Sequence, residues 1–228
     1  MTPLVLLPGL ACDEGLWAPQ LTALSGPADM RVADTLQDDS LPAMAARVLA
    51  DAPDRFALAG LSMGGYLAFE LLRQAPERVE KLALLDTSAR PDTPEQTAKR
   101  EEAVAAAEKA GMAAVIRSGL DMLLAADVSS ELSRAVVAMG ERVGLDAYRR
   151  QQRAVAARPD SRPMLGQIAV PTLVLVGEED ALTPPAVAHE MADAIPHATL
   201  VQVPGSGHLS TLERPDAVTA TLRDWLAR

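Results

Sequence analysis

Phe56-Ala57-Leu58-Ala59-Gly60-Leu61-Ser62-Met63-Gly64-Gly65 is the stretch whose reading decides the fold. A short apolar run ends in G-x-S-x-G, and a helical pattern follows over 64–75. An apolar run of this length bounded by glycines reads as a buried strand, so the serine falls on a sharp strand-to-helix turn. Such a turn is crowded, and glycines two residues either side of the serine leave room for it. Gly60 and Gly64 occupy those positions, and Gly65 lets the helix pack close to the strands. A serine hydroxyl is a weak nucleophile until a base takes its proton. The helix N-terminus behind Ser62 offers free N–H groups to a developing negative charge.

A nucleophilic serine needs a histidine and a carboxylate. The histidines are His189, His197 and His208. His208 follows the mobile turn Gly205-Ser206-Gly207, after the strand-like run Thr199-Leu200-Val201-Gln202-Val203. His189 belongs to a helical run and His197 follows Pro196 in a turn, so both read as surface residues. Asp180 is the acid candidate, after the run Thr172-Leu173-Val174-Leu175-Val176. Its rival is Asp86, which ends Lys81-Leu82-Ala83-Leu84-Leu85. Ser62, Asp180 and His208 each lie just past the C-terminal end of a strand. In a parallel sheet those ends share one edge, where such folds hold their sites.

Strands are expected near 3–7, 30–34, 56–61, 82–86, 171–176 and 198–203, with helices near 17–25, 41–52, 64–75, 186–195 and 215–227. This alternation predicts an α/β fold, a mostly parallel sheet with helices on both faces. Residues 89–165 break it and read as helical over 94–110, 112–124, 129–143 and 145–157. The expected division is a core of 1–88 and 166–228 with a helical insertion at 89–165. Met112, Met122 and Met139 from the insertion, and Trp17 from the core, are candidates to line a substrate pocket.

Three pieces together resemble the α/β-hydrolase family: Gly60 to Gly65, the Gly-x-x-Asp-x-x-Thr-Pro stretch from Gly177 to Pro184, and Gly207-His208. The resemblance covers nearly the whole chain. It implies that Ser62 is the nucleophile, His208 the general base and Asp180 the group that orients it. It implies an oxyanion hole from the backbone N–H groups of Met63 and Leu10. The latter lies in Leu7-Pro8-Gly9-Leu10, where the family often carries His-Gly. Some members take their acid from the earlier strand, which keeps Asp86 in reserve. The chain opens on the strand before the oxyanion loop, which implies about six parallel strands rather than the fuller family set. The family inserts a helical cap where 89–165 stands, and this cap resembles those of enol-lactonases, carbon–carbon bond hydrolases and small-ring synthases. The expected activity is cofactor-free hydrolysis of a small carboxylic ester through an acyl-enzyme. The same fold also supports lactonase or carbon–carbon cleavage, and in a different class a ligand receptor.

Composition narrows the partners. The 228-residue chain is 49 % hydrophobic and carries a formal net charge of −10, which argues against nucleic acid. One cysteine excludes an internal disulfide and a zinc cluster. No dinucleotide, phosphate-loop or His-Glu-x-x-His motif occurs, so neither cofactor nor metal is expected. Residues 1–10 lack the basic start and long apolar stretch of a secretion signal. No run approaches the ~20 apolar residues of a membrane helix. A soluble, cytoplasmic protein is the expectation, with no sequence signal for its oligomeric state.

Overall fold

Successive strand residues point to opposite faces, and here both faces are apolar. Val5, Leu7, Leu58, Leu84 and Val174 enter one buried cluster, while Leu4, Leu6, Ala59, Leu85 and Leu175 enter another. A sheet buried on both sides needs a helical layer on each. The computed structural model describes residues 2–26 and 29–228, leaving Met1, Pro27 and Ala28 outside.

Its strands are β1 (Leu4–Leu7), β2 (Met30–Val32), β3 (Phe56–Leu61), β4 (Val79–Leu85), β5 (Thr172–Gly177) and β6 (Thr199–Val203). They form one parallel sheet of order β2-β1-β3-β4-β5-β6. The chain leaves β1 toward β2, then crosses back to β3. The loops after β1 and β3 therefore diverge and open a crevice at the C-terminal edge, the usual ligand position in such sheets. Leu7 pairs with Gly60 and Leu61 with Leu85, so the chain enters the Ser62 turn from the middle of the sheet.

The helices are α1 (Ala18–Ala23), α2 (Leu41–Asp51), α3 (Met63–Gln74), α4 (Pro94–Ala110), α5 (Met112–Ser118), α6 (Leu120–Leu123), α7 (Ser130–Ala156), α8 (Pro185–Ala194), α9 (Ser210–Glu213) and α10 (Pro215–Ala227). None among the described residues is long and apolar enough to cross a membrane. The insertion between β4 and β5 carries α4 to α7, of which α4, α5 and α7 pack on one another. Thr93 starts α4 with a reciprocal capping box to Gln96. The expected break near residue 144 is present: Gly144 leaves helical geometry at φ 76° and bends α7 there. Two expectations need correction. The helix expected over 112–124 ends at Ser118, because Gly119 caps α5 before α6 begins. β4 begins at Val79 rather than 82, since Glu80 and Lys81 find surface partners in Arg55 and the Leu226 carbonyl and need not leave the strand.

The turn at Ser62 is tightly packed. A Cβ on Gly60 would strike the Gly64 carbonyl, one on Gly64 the Leu7 carbonyl, and one on Gly65 the Thr87 side chain. The obstacles at Gly60 and Gly64 are backbone, which cannot swing aside. Gly64→Ala should therefore lower stability by about 2 kcal/mol or more, as overpacking does. Gly119→Ala, whose nearest neighbours stand at 3.7 and 3.8 Å, should change it by less than ~1 kcal/mol. Urea unfolding of the two variants tests the contrast.

Candidate active site

Ser62 has φ 56° and ψ −114°, a left-handed conformation that only a surrounding scaffold can impose on a non-glycine residue. Its N–H donates to the Leu85 carbonyl at 3.0 Å, and its carbonyl accepts from Thr87 Oγ1 at 2.7 Å. β3, β4 and the loop after β4 thus clamp the residue and leave its side chain over the sheet edge.

The Ser62 hydroxyl donates to His208 Nε2 at 2.8 Å. On the other side of the ring, His208 Nδ1 donates to Asp180 Oδ2 at 2.9 Å. The tautomer follows from these partners, since the carboxylate requires the proton on Nδ1 and leaves a lone pair on Nε2. Asp180 is fixed in turn by the Leu182 and Thr183 N–H groups, each at 2.9 Å, and by the Thr183 hydroxyl at 2.7 Å. The loops bearing Asp180 and His208 approach because Gly177 has no Cβ, which would collide with the Ser206 and Gly207 carbonyls.

The N–H groups of Leu10 and Met63 donate to no protein acceptor among the described residues, and both residues line the cavity beside Ser62. Met63 is the first residue of α3, where an N–H has no partner within its own helix. The two donors therefore stand free at the wall of the cavity beside Ser62.

This order of serine, acid and histidine on a parallel sheet matches a known pattern. The sequence signature of the alpha/beta hydrolase fold aligns with residues 7–215. The chain belongs to the α/β-hydrolase fold family. An esterase from Thermogutta terrifontis, solved with malate bound, superposes with a TM-score of 0.92 at 29 % identity, covering 100 % of this chain and 90 % of that one. The enol-lactonase from Burkholderia xenovorans superposes at 0.86 with 29 % identity, covering 100 % and 92 %. A pimeloyl-[acyl-carrier protein] methyl ester esterase of Aliivibrio salmonicida is 27 % identical over 98 % of this chain and 91 % of its own. A Mycobacterium tuberculosis protein carrying the name non-heme bromoperoxidase is 30 % identical over 74 % of this chain, which spans only 66 % of that relative's length.

Several features of this α/β-hydrolase site lie beyond the sequence motifs. Glu213 is buried and collects three backbone donors: Gly207 N and Ala125 N on Oε2 at 3.0 and 2.8 Å, and Leu209 N on Oε1 at 3.1 Å. Two of them flank His208 and the third comes from the insertion. His208 N itself donates to the Leu123 carbonyl at 3.1 Å. On the opposite side, Gln151 of α7 accepts from Ala11 N at 2.9 Å and donates to the Thr35 carbonyl at 3.2 Å. Ala11 has φ 57°, so this contact holds a strained turn next to Leu10. The loop with Pro8-Gly9 in place of His-Gly is thus braced by the insertion.

Asp86 is buried but makes no hydrogen bond to His208. It accepts from Gly177 N at 2.8 Å and from the Ser210 hydroxyl, joining the ends of β4 and β5 to α9. Burial raises its pKa from 3.8 to about 7 against these bonds and the His208 charge. Burial also works against His208, but the Asp180 hydrogen bond and charge outweigh it and raise its pKa above 6.5. Asp180 stays below 3.8, because its His208 and Thr183 hydrogen bonds overcome its own burial.

The cavity over Ser62 has a volume of about 720 Å³. Met122 and Met139 line it. Trp17 and Met112 do not. Trp17 is fully buried with Leu16 in a tight turn over Glu14–Trp17, and Met112 packs one helical turn short of Ile116, which does reach the cavity. His189 is exposed beside Gln202, and His197 lies in an exposed turn. No cluster suited to a metal ion exists among the described residues.

Replacing Glu213 with Gln turns one acceptor into a donor facing N–H groups. Stability should fall by ~2 kcal/mol, as for other broken buried charged hydrogen bonds, and kcat should drop more than KM rises. Asp86 binds a proton in the folded chain that the unfolded chain releases between pH 4 and about 7. Stability should therefore fall as pH rises through that window. Asp86→Asn keeps both contacts and should flatten the fall, measured by urea unfolding at several pH values.

Proposed function

We propose that the protein is a serine hydrolase of small carboxylic esters, with Ser62, His208 and Asp180 as its catalytic residues. The observation that carries this reading is the unbroken hydrogen-bonded chain from Ser62 Oγ through the His208 ring to Asp180. Its family membership and its likeness to esterases support the chemistry.

His208 Nε2 takes the Ser62 proton as Oγ attacks the substrate carbonyl carbon. The carbonyl π pair moves to oxygen, where the N–H groups of Leu10 and Met63 receive it. In enzymes of this type the loss of one such donor costs ~3 kcal/mol of transition-state stabilisation. The imidazolium is held by Asp180 and gives its proton to the departing alcohol, leaving an acyl group on Ser62. Water, activated by the same nitrogen, then releases the acid and restores the serine. Residues 89–165 act as a cap whose α4, α5 and α7 wall the cavity and exclude bulk water. A lactone presents the same bond in a ring and passes through the same steps. The likeness to an enol-lactonase favours including one among the substrates tested.

A series of p-nitrophenyl esters from acetate to long-chain acids, with a small lactone beside them, tests the reading. Ser62→Ala should remove more than ~99 % of turnover while leaving the fold intact. Residual turnover above that level would take the nucleophile's role from Ser62, and tight ligand binding without any turnover would make the protein a receptor.

Asp180→Asn should reduce kcat by roughly 10⁴, the loss seen when this partner is neutralised. Asp86→Asn should cost far less, and the reverse ranking would transfer the acid role. kcat/KM should fall on the acid side with a midpoint above 6.5, since the base must be neutral and its pKa is raised. Removing the Asp180 charge should shift that midpoint downward.

A further inference from the structure

The chain carries a net charge of −10, yet the cavity over Ser62 is lined by Arg90, Lys99, Arg100 and Arg158 and by no carboxylate among the described residues. Two of the cations share one counter-ion. Arg100 meets Asp92 through two bonds of 2.5 and 3.1 Å, and Arg158 meets it at 2.5 Å. The Asp92 and Arg158 side chains are only 1 % and 6 % exposed. Burial opposes the Asp92 charge, but the two guanidinium groups overcome it and hold its pKa below 3.8. The trio therefore retains one surplus positive charge in a largely dehydrated setting, where a charge acts more strongly than at the surface.

That charge has an unused donor. Arg158 spends Nε on the Arg90 carbonyl and Nη1 on Asp92 and the Val155 carbonyl, while its Nη2 meets no protein acceptor among the described residues. The guanidinium stacks on Tyr66, 4.3 Å from the ring centroid, and Tyr66 lines the same cavity. Tyr66 follows Ser62 by about one turn of chain, so the stack and the nucleophile border one cavity. Ile116, Met122 and Met139 give that cavity an apolar wall.

We propose that Arg158 and Arg100, with Lys99 at the exposed edge, form a carboxylate subsite, and that the preferred substrates are esters bearing a carboxylate several bonds from the scissile carbonyl. This rests on the ester-hydrolase reading of Ser62. One surplus buried charge matches one carboxylate, and the planar guanidinium suits its paired oxygens. Substrates of this class are half-esters of linear dicarboxylic acids, or aryl esters with the carboxylate on the alcohol side.

The test compares kcat/KM for monomethyl and dimethyl esters of linear C4 to C8 dicarboxylic acids, and for 4-acetoxybenzoate against phenyl acetate. Binding of adipate and of inorganic phosphate to Ser62→Ala is followed by calorimetry. Arg100→Gln cancels the surplus charge while Asp92 stays paired with Arg158. Lys99→Gln alters an exposed residue and should not disturb folding. The anionic ester in at least one pair should be favoured by about tenfold, the scale of one charge-assisted hydrogen bond. Arg100→Gln should erase most of that ratio, Lys99→Gln should reduce it, and adipate should bind Ser62→Ala but not its Arg100→Gln derivative. Equal or better turnover of neutral esters, with no adipate binding, would overturn the subsite and leave the hydrolase reading intact. Phosphate binding as tight as adipate would overturn the assignment to a carboxylate. Adipate binding that depends on Arg100, in a protein that hydrolyses none of the esters, would support the subsite and remove the hydrolase reading.

Discussion

The contact between the first turn of α3 and the strands beneath it governs the site. Ser62 holds a backbone conformation that costs of order 1–3 kcal/mol in isolation. It persists because Gly64 rests on the Leu7 carbonyl, Gly65 rests on Thr87, and the Ser62 N–H is committed to Leu85. The same approach sets the distance between the loop after β1 and the start of α3, which brings Leu10 and Met63 to the same cavity. The helix cannot retreat without loosening the hydroxyl, the oxyanion donors and the crevice together.

Around this fixed point stand three buried carboxylates with different partners. Asp180 is kept ionised by the ring it orients, and Asp86 is pushed toward neutrality and ties strand ends together. Glu213 takes its bonds from main-chain N–H groups rather than from the ring, and so steadies the loop that carries His208. Low dielectric makes each arrangement costly to disturb, because a buried charge that loses its partner has no water to replace it.

The catalytic candidates were legible because each sits in a local pattern: glycines about Ser62, a Gly-x-x-Asp turn at Asp180, a Gly-Ser-Gly turn before His208. The parallel sheet was legible from alternation, and the insertion from its interruption. The bracing groups were not. Gln151 acts on a residue 140 positions away, and Glu213 on one 88 positions away. No local spacing encodes such pairs. Trp17 and Met112 were misassigned because residue type reports burial and not which buried layer receives it. Arg100 lies in α4, Arg158 just past the end of α7 and their partner Asp92 in the loop before α4, and no local motif marks any of the three. The split at Gly119 escaped because an isolated glycine is tolerated inside helices.

Two of the places where the helical insertion grips the core are the loop after β1, held through Gln151, and the loop after β6, held through residues 123–125. It is therefore not a detachable specificity module. A relative's insertion transplanted onto this core would carry its wall of side chains along but leave Ala11 and Glu213 without their counterparts. New substrate ranges would be easier to reach by point changes along the inner faces of α4, α5 and α7 than by recombination at the insertion's ends. The architecture lets the chemistry be inherited nearly unchanged while the pocket drifts, provided the two handholds drift with it.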